Sequence, residues 1–363
     1  MKEKWLNELF LDSLKNYLIN YDVDGFRFDL SCFMHQETIN EIAFELRKIK
    51  PDLILHGEAW PFSDLEYQKS YIKGTTFNNL NFAYFNDTIR DAIKGDESHS
   101  NLGLYVENNP EYFKRYVSSI VGNLKDYDFQ NFSHSNGEYD LFVTNEGMNL
   151  AYSHCHDGAT LWDKLLTSTK NLSFEERIER YRQALILSVA TNGRQLMLAG
   201  TELLQTKPLD QSGMEEHRSF ESHYQDEFNE NADQNRYQDN SYKTTDYTNG
   251  LKWQHLKNPL VVKDVFEFVQ KLNYFRNATT FFRMSKNEVL KNYQFELVDS
   301  NQGIIVFTIC SQEQKLKVIH NFSDSNFNYD LSNYEIVLTS SLEQDALKNN
   351  QVKAHSSVLL LQK

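Results

Sequence analysis

Residues 23–30, VDGFRFDL, constrain this chain more than any other stretch. Read as a strand, the segment alternates. Phe26, Phe28 and Leu30 point to one face, and Gly25, Arg27 and Asp29 point to the other. A charged pair on the inner side of an otherwise apolar strand is costly unless it is paired or used. Two readings stay open here. One is a buried Arg27–Asp29 salt bridge that orders a sheet. The other is a functional site, because perturbed charge pairs cluster at sites. Asp29 stands near the strand's C-terminal end, where α/β sheets and barrels place ligands.

The flanking sequence predicts what this strand belongs to. Glu37–Lys48 carries Ile39, Ile42, Ala43 and Leu46 at helical spacing, and Pro51 ends the helix. Leu53–Leu55 then reads as a short strand that delivers His56-Gly57-Glu58-Ala59-Trp60. Strand, helix and strand at this spacing form a βαβ unit with parallel neighbouring strands. Asp29 and Glu58 should therefore emerge at the same end of adjacent strands. Two carboxylates facing one cleft suit glycoside hydrolysis, where one attacks or stabilises and the other donates a proton. The plainer alternative for Glu58 is a strand-end residue capping the following turn.

The rest of the chain extends this pattern. The N-terminal MKEKWLNELFLDSLKNYLINY reads as an amphipathic helix with Leu6, Leu9, Phe10, Leu14 and Leu18 on one stripe. Phe82–Phe85 predicts a third strand, followed by a helix near Asp87–Ile93. Residues 61–148 otherwise read as long loop with short helices around Pro110–Val121, and loops of that length are usually functional walls. Asn149–Asp157 reads as a strand ending in His156-Asp157. The cluster His154-Cys155-His156 invites a metal reading, but no further ligand run accompanies it, and a substrate-facing His156-Asp157 pair is favoured. Ser173 and Glu176 have capping-box spacing and open a helix to Val189. Gln195–Ala199 is one more short strand, residues 205–250 a polar surface excursion, and Lys263–Asn277 a helix. From about residue 283 the pattern changes to short strands, Tyr293–Val298, Gly303–Ile309, Leu316–His320, Glu335–Leu338 and Ser357–Leu361, with turn residues between them.

Composition narrows the function classes. A net charge of −14 over 363 residues argues against a nucleic-acid partner, which needs clustered Lys and Arg. An aromatic content of 13% suits stacking on sugar rings or bases. Cys32, Cys155 and Cys310 are far apart and odd in number, so neither a disulfide framework nor a zinc spacing is present, which favours a reducing compartment. No apolar run is long enough for a membrane span, and the N-terminus shows no signal-peptide pattern. A cytoplasmic location without membrane association is expected.

Three motifs stand in order: GFRFD at 25–29, GEAW at 57–60 and HCHDGATLWDKL at 154–165. Together they resemble the second, third and fourth signature regions of the α-amylase superfamily, glycoside hydrolase family 13. Within it the chain looks most like the type I pullulanases. VDGFRFDL, YFNDTIRDAIKG (84–95), HDGATLWDKLL (156–166), EERIERYRQALILS (175–188), AGTELLQTK (199–207) and NSYKTTDYTNGLKW (240–253) resemble that subgroup piece by piece. The similarity runs from about residue 8 to residue 280.

The resemblance implies an α/β fold: the C-terminal portion of a (β/α)8 barrel, about five βα units over 1–282, followed by a β-sandwich domain over 283–363. It implies Asp29 as catalytic nucleophile, Glu58 as general acid/base and Asp157 as the third carboxylate, which distorts the sugar and stabilises the transition state. Arg27 would hold Asp29 ionised, and His156 would hydrogen-bond sugar hydroxyls. Trp60 and Trp162 become stacking platforms, with ordinary packing as the alternative for each. The implied reaction is retaining hydrolysis of α-1,6 branch points in pullulan or in glycogen- or starch-derived dextrins, with Asp29 and Glu58 roughly 5–5.5 Å apart. No cofactor is implied by these motifs; a calcium ion is compatible with the superfamily but is assigned to no residue.

Three departures accompany the likeness. Gly158 stands where an Asn usually follows the His-Asp pair. Ala59 replaces a Gly common in the subgroup. The first signature region and three strands that normally precede GFRFD have no counterpart. An open barrel leaves strand edges unpaired and one wall of the core exposed. Three possibilities follow: a half-enzyme completed by an N-terminal half-protein, a catalytically inactive remnant, or a carbohydrate-binding protein. The intact set Arg27, Asp29, Glu58 and Asp157 favours the first.

Overall fold

The structure is a computed structural model, and it describes residues 4–61, 64–66, 68–73, 82–97, 102–129, 141–210, 212, 218–223 and 235–363. Parts of the loop expected over 61–148 and of the excursion expected over 205–250 lie outside these residues.

Chain order alternates helix and strand from the start. Helix α1 (Lys4–Tyr21) leads into β1 (Gly25–Phe28), then α2 (Gln36–Arg47) and β2 (Ile54–Gly57). Next come β3 (Phe82–Phe85), α3 (Asp87–Lys94), α4 (Pro110–Ile120), β4 (Asn149–Ala151), α5 (Leu161–Ser168), α6 (Phe174–Val189) and β5 (Arg194–Gln195). Side-chain caps fix several helix starts. The Asn86 carboxamide oxygen accepts from the backbone of Thr88 and Ile89, and Asn109 caps α4 ahead of Pro110 at its first turn. Ser173 and Glu176 complete the capping box read from sequence.

Strands β1 to β5 form one parallel sheet in sequential order, β1-β2-β3-β4-β5. Register sorts the side chains into two faces. Phe26, Leu55 and Phe82 stand in one row, and Arg27, His56 and Ala83 in the next. Phe28, Leu55, Phe82 and Tyr84 bury their face against the helices, with Ile39, Ile42 and Leu46 of α2 in the same core. The opposite face carries a smaller cluster, Ala83, Phe85, Leu150, Tyr152 and Cys155, with Trp60 and Leu196 packed on it. That face opens on a cavity of about 1050 Å³ lined by His56, Leu150, Arg194 and Met197 among others. Parallel sheets are normally covered on both faces. Among the described residues, β1 is an edge strand.

Several local expectations change. Leu9 is 60% exposed, and the buried stripe of α1 is Leu11 and Leu18 with Leu14 half-buried. Leu30 is not part of β1: it adopts a left-handed conformation (φ 42°, ψ 49°) and turns the chain. The strand expected over Asn149–Asp157 ends at Ala151, and the one over Gln195–Ala199 shrinks to Arg194–Gln195. Past Ala151 the chain leaves the sheet, and His154 is fully buried against Thr201.

An antiparallel pair, β6 (Ser219–Glu221) and β7 (Arg236–Gln238), follows. The helix Glu267–Ala278 comes after a π-helical turn. The strands β8 (Tyr293–Asp299), β9 (Ile304–Cys310), β10 (Lys315–Asn321), β12 (Tyr334–Thr339) and β14 (Ser356–Gln362) make one antiparallel sheet, ordered β12-β14-β10-β9-β8. The opposing layer is not a second full sheet, as a sandwich would require, but a ribbon of β11 (Phe327–Asn328) and β13 (Gln351–Val352). Alternation along β9 explains both layers. Ile305, Phe307 and Ile309 join the main core, while Ile304 and Val306 meet Leu331, Leu347 and Val352. Lys353 Nζ pairs with Glu179 Oε2 at 2.8 Å, and Gln183 donates to the Asn321 carbonyl at 3.1 Å, fastening this sheet to α6. Among the described residues no helix is long and apolar enough to cross a membrane.

The β1–β2 pair is a close backbone approach. A Cβ on Gly25 would lie 2.1 Å from the Ile54 carbonyl oxygen, and one on Gly57 would lie 2.7 Å from Ser31 Oγ. Gly25→Ala should lower unfolding free energy by roughly 1–3 kcal/mol or more, as over-packing does, because a backbone oxygen cannot swing aside. Urea denaturation of the variant beside the parent checks this; an unchanged midpoint would mean the strands are not so close.

Candidate functional site

The parallel pairing of β1 and β2 brings Asp29 and Glu58 to the same end of the sheet, and Arg27 joins them. Its Nη1 lies 2.9 Å from Asp29 Oδ1 and its Nη2 lies 2.7 Å from Glu58 Oε1. The left-handed Leu30 aims its N–H back at Glu58 Oε2, at 3.1 Å. A leucine at positive φ costs about 1–2 kcal/mol, and here it supplies the second contact to Glu58. The glutamate's own backbone is held as well. Its N–H donates to the Phe28 carbonyl, and its carbonyl accepts from Ser31 Oγ at 2.8 Å and from the Cys32 N–H at 3.2 Å. Both oxygens of Glu58 are thus engaged as acceptors.

The two carboxylates differ in exposure. The Glu58 side chain is 9% exposed and that of Asp29 is 71% exposed. The Arg27–Asp29 pair is real but not buried, which corrects the expectation of a charged pair enclosed behind the strand. The edge position of β1 is the reason.

Asp157 comes from the loop after β4. Lys207 Nζ donates to the carbonyls of His156 (2.5 Å) and Gly158 (2.7 Å), and Lys94 Nζ donates to that of Ala159 (3.0 Å). Two largely buried ammonium groups therefore shape this loop through its backbone. Glu58, Trp60 and Asp157 line one cavity of about 300 Å³, together with Phe85 and Tyr152. Asp29 joins this group through Arg27. His156 sits 3.2 Å from Asp157 Oδ2 and faces a neighbouring cavity of about 380 Å³ lined by Lys207, Tyr242 and Leu251 among others.

Trp162 is not at the cleft. It is fully buried on α5, with Phe174 and Tyr181 edge-on at 5.7 and 6.1 Å. No ring face is left for a sugar, so the stacking role is withdrawn. As the second residue of the Thr160-capped α5, it sends its indole into the core.

His154 is also a core residue, with Nδ1 sharing a hydrogen bond with Ser153 Oγ and Nε2 with Thr201 Oγ1, both at 3.2 Å. Burial, with Lys94 and Lys207 nearby, depresses its pKa to about 3. Among the described residues no group of three or more His, Cys, Asp and Glu side chains converges as a metal cradle. His56, in the Arg27 row, is pushed down to about 4 by burial and then by Arg27 and Arg194. Asp163 is pushed up to about 6 by burial, partly offset by hydrogen bonds from Thr206 and the Lys207 N–H.

Residues at the cleft that the motifs did not flag are Arg90, Lys94 and Glu97. Arg90 and Lys94 stand four apart on α3, and Glu97 lies three beyond. That spacing is a signal for one charged face: Arg90 and Lys94 lie inside a stretch quoted only for its likeness, and Glu97 lies just beyond it.

No family model matches the chain. Similarity to individual proteins is consistent. The pullulanase of Bacillus subtilis is 22% identical over 340 residues, covering 92% of this chain and 41% of that protein. Chloroplastic pullulanase 1 of Arabidopsis thaliana is 25% identical over 247 residues, covering 56% of this chain and 26% of that one. Among solved structures, an Anoxybacillus pullulanase complexed with maltotetraose matches with a TM-score of 0.78 at 20% identity, over 100% of this chain and 47% of that one. The chain is related to the pullulanases. The structural likeness shows a pullulanase-like fold, and the chain spans less than half the length of these pullulanases.

Trp162→Ala should cost about 3–5 kcal/mol, the range for a large buried aromatic. Thermal unfolding would show it, and an unshifted midpoint would return the residue to the surface. The buried histidines set a pH dependence. His154 and His320, both near 3, stay neutral in the folded chain and protonate when unfolded below about 6.5. Their stabilisation is present above 6.5 and is lost as pH falls. Asp163 acts the other way, binding its proton more tightly when folded. The net uptake on unfolding between pH 6 and 5 is about one proton, or about 1.4 kcal/mol per pH unit. Half-buried His56 adds in the same direction. Urea midpoints at pH 6.5 and 5 should fall accordingly; a rise would contradict these burial states.

Proposed function

We propose that this chain carries the catalytic carboxylates of a retaining glycoside hydrolase that cleaves α-1,6-glucosidic branch points. The observation that carries the reading is one guanidinium, Arg27, bonded to both Asp29 and Glu58, with Glu58 and Asp157 on the wall of one cavity. On this reading residues 1–282 are the barrel portion and 283–363 the β domain. Asp29 attacks the anomeric carbon while Glu58 protonates the departing glycosidic oxygen. Water, deprotonated by Glu58, then releases the sugar from the Asp29 ester. Arg27 orients Asp29 throughout. Glu58 reaches the leaving oxygen only by releasing a contact to Arg27 or to the Leu30 N–H, so substrate binding must loosen that clamp. Asp157 faces the sugar from the opposite loop, with His156 as its hydrogen-bonding neighbour and Trp60 as an apolar wall.

The same reading includes a completing segment. Among the described residues β1 is an edge, Asp29 is largely exposed, and Trp5, Leu9, Ile19, Tyr21 and Phe44 are each at least 60% exposed on the elements around it. A further polypeptide segment, in the same chain or a separate one, would add strands beside β1, cover these side chains and enclose the cavity of about 1050 Å³. Several solved pullulanases were captured with malto-oligosaccharides, among them maltotetraose and maltohexaose, which supports an α-glucan as the substrate class.

Reducing-end release from pullulan tests this, with the chain alone and with the upstream half of a related pullulanase added. Completed protein should hydrolyse pullulan, and Asp29→Asn or Glu58→Gln should each reduce kcat by at least about 10³-fold, as loss of a nucleophile or acid does. Hydrolysis surviving in Asp29→Asn would remove the nucleophile assignment. Malto-oligosaccharide binding without hydrolysis in the completed protein would favour the carbohydrate-binding alternative.

A further inference from the structure

Gly158 follows Asp157 directly and adopts φ +69°, a left-handed conformation. The space beside it is taken. A Cβ built on Gly158 would lie 2.2 Å from Glu97 Oε2, 2.7 Å from its Cδ and 2.8 Å from Oε1. The carboxylate of Glu97 thus fills the volume that a side chain at 158 would occupy, on the wall of the cavity shared by Glu58, Trp60 and Asp157.

Glu97 is held there from one side. Lys94 Nζ lies 3.0 Å from Oε1, and Arg90 Nε lies 3.7 Å from the same oxygen. Its backbone carbonyl accepts from Arg218 Nη2 at 2.8 Å, and Arg218 also pairs with Asp239 on the same cavity wall. Burial pushes the Glu97 carboxyl up, but Lys94 and Arg90 together outweigh it and hold it below its usual range. Both cations meet Oε1, so Oε2 is the oxygen turned toward Gly158. The side chain is 35% exposed, open enough to be reached. An ionised carboxylate is an acceptor with about four lone-pair sites, and two cations on one oxygen leave the other for an O–H donor.

We propose that Glu97 is a substrate-binding residue of this cleft, its Oε2 accepting a hydroxyl of a glucosyl unit seated over Gly158 and Asp157. This inference rests on the α-glucan reading above and deepens it. Gly158 is the complement of Glu97: the glycine makes room, and the carboxylate supplies the polar group that position 158 lacks. The ligand class is a neutral, hydroxyl-rich sugar. An anionic sugar would meet Glu97, Asp157 and Asp239 together and be repelled.

Calorimetric titration with maltotriose tests it, on the chain completed with the upstream half as above, using Glu97→Gln, Glu97→Ala, Gly158→Asn and the double variant Glu97→Ala/Gly158→Asn. A charge-assisted hydrogen bond to a neutral donor is expected to count for roughly a tenfold change in affinity. Glu97→Gln and Glu97→Ala should therefore weaken maltotriose about tenfold. Gly158→Asn alone should weaken it as well, because its side chain collides with Glu97, although Asn tolerates positive φ. In the Glu97→Ala background Gly158→Asn should recover most of the loss, since its amide enters the vacated space. If Glu97 merely held Lys94 and Arg90 in place, that rescue would not occur. Parent chain that binds maltotriose while Glu97→Gln binds equally well overturns the role of Glu97 and leaves the glucan reading standing. Completed parent protein that binds no maltotriose overturns both.

Discussion

Arg27 holds two carboxylates with one planar fork, and the cleft depends on that geometry. A guanidinium presents fixed parallel donors, so it can grip Asp29 with one nitrogen and Glu58 with the other only if the strands carrying them are adjacent, parallel and in one register. The register is the pairing Arg27–His56. The two glycines make that pairing possible, because Gly25 and Gly57 leave the space into which the neighbouring chain presses. Leu30 then turns the chain where its N–H reaches Glu58. Strand spacing, a strained turn and an ion-pair fork form one unit, and loosening any of them moves both carboxylates.

Much of that unit was readable from residue order. The alternation in VDGFRFDL, the helix ended by Pro51 and the short apolar run before GEAW sufficed for a parallel βαβ unit with carboxylates at one end. The antiparallel tail was equally plain, because strands such as β9 and β14 alternate between two apolar layers. Less legible were features set by tertiary competition. Leu30 has the hydrophobicity of a strand residue, but the Glu58 carboxylate draws its N–H out of the ladder. Asn149–Asp157 has strand propensity, yet only Asn149–Ala151 pairs in the sheet, and beyond it Lys94 and Lys207 hold the carbonyls of residues 156, 158 and 159. Trp162 looks like a platform in a motif and is core, because the direction of an indole on a helix follows the burial of that helix, which sequence order does not give. The Glu97–Gly158 fit was invisible for the same reason: sixty-odd residues separate two groups that share one small volume.

The two ammonium groups beneath the Asp157 loop deserve comparison with Arg27. Both arrangements put cations against the cleft, but they act on different atoms. Arg27 binds carboxylate oxygens directly and so couples the positions of two carboxylates. Lys94 and Lys207 bind backbone carbonyls and take no oxygen of the Asp157 carboxylate, which faces the cavity. A loop held through its backbone keeps its side chains available, whereas one held through its side chains spends them. Lys94 adds a second function by touching Glu97, so the same ammonium fixes the Ala159 carbonyl and one oxygen of the carboxylate over Gly158.

The exposure of Asp29 ties the cleft to the open edge of the sheet. Water and counter-ions screen an exposed carboxylate, so Arg27 interacts weakly with Asp29 and more strongly with the enclosed Glu58. A segment laid along β1 would remove water from Asp29 first, because Asp29 lies at the end of the uncovered strand. Arg27 would then be shared more evenly, and its hold on Glu58 would slacken. Covering the apolar residues of α1 and α2 and balancing the two carboxylates are, in this geometry, consequences of the same contact.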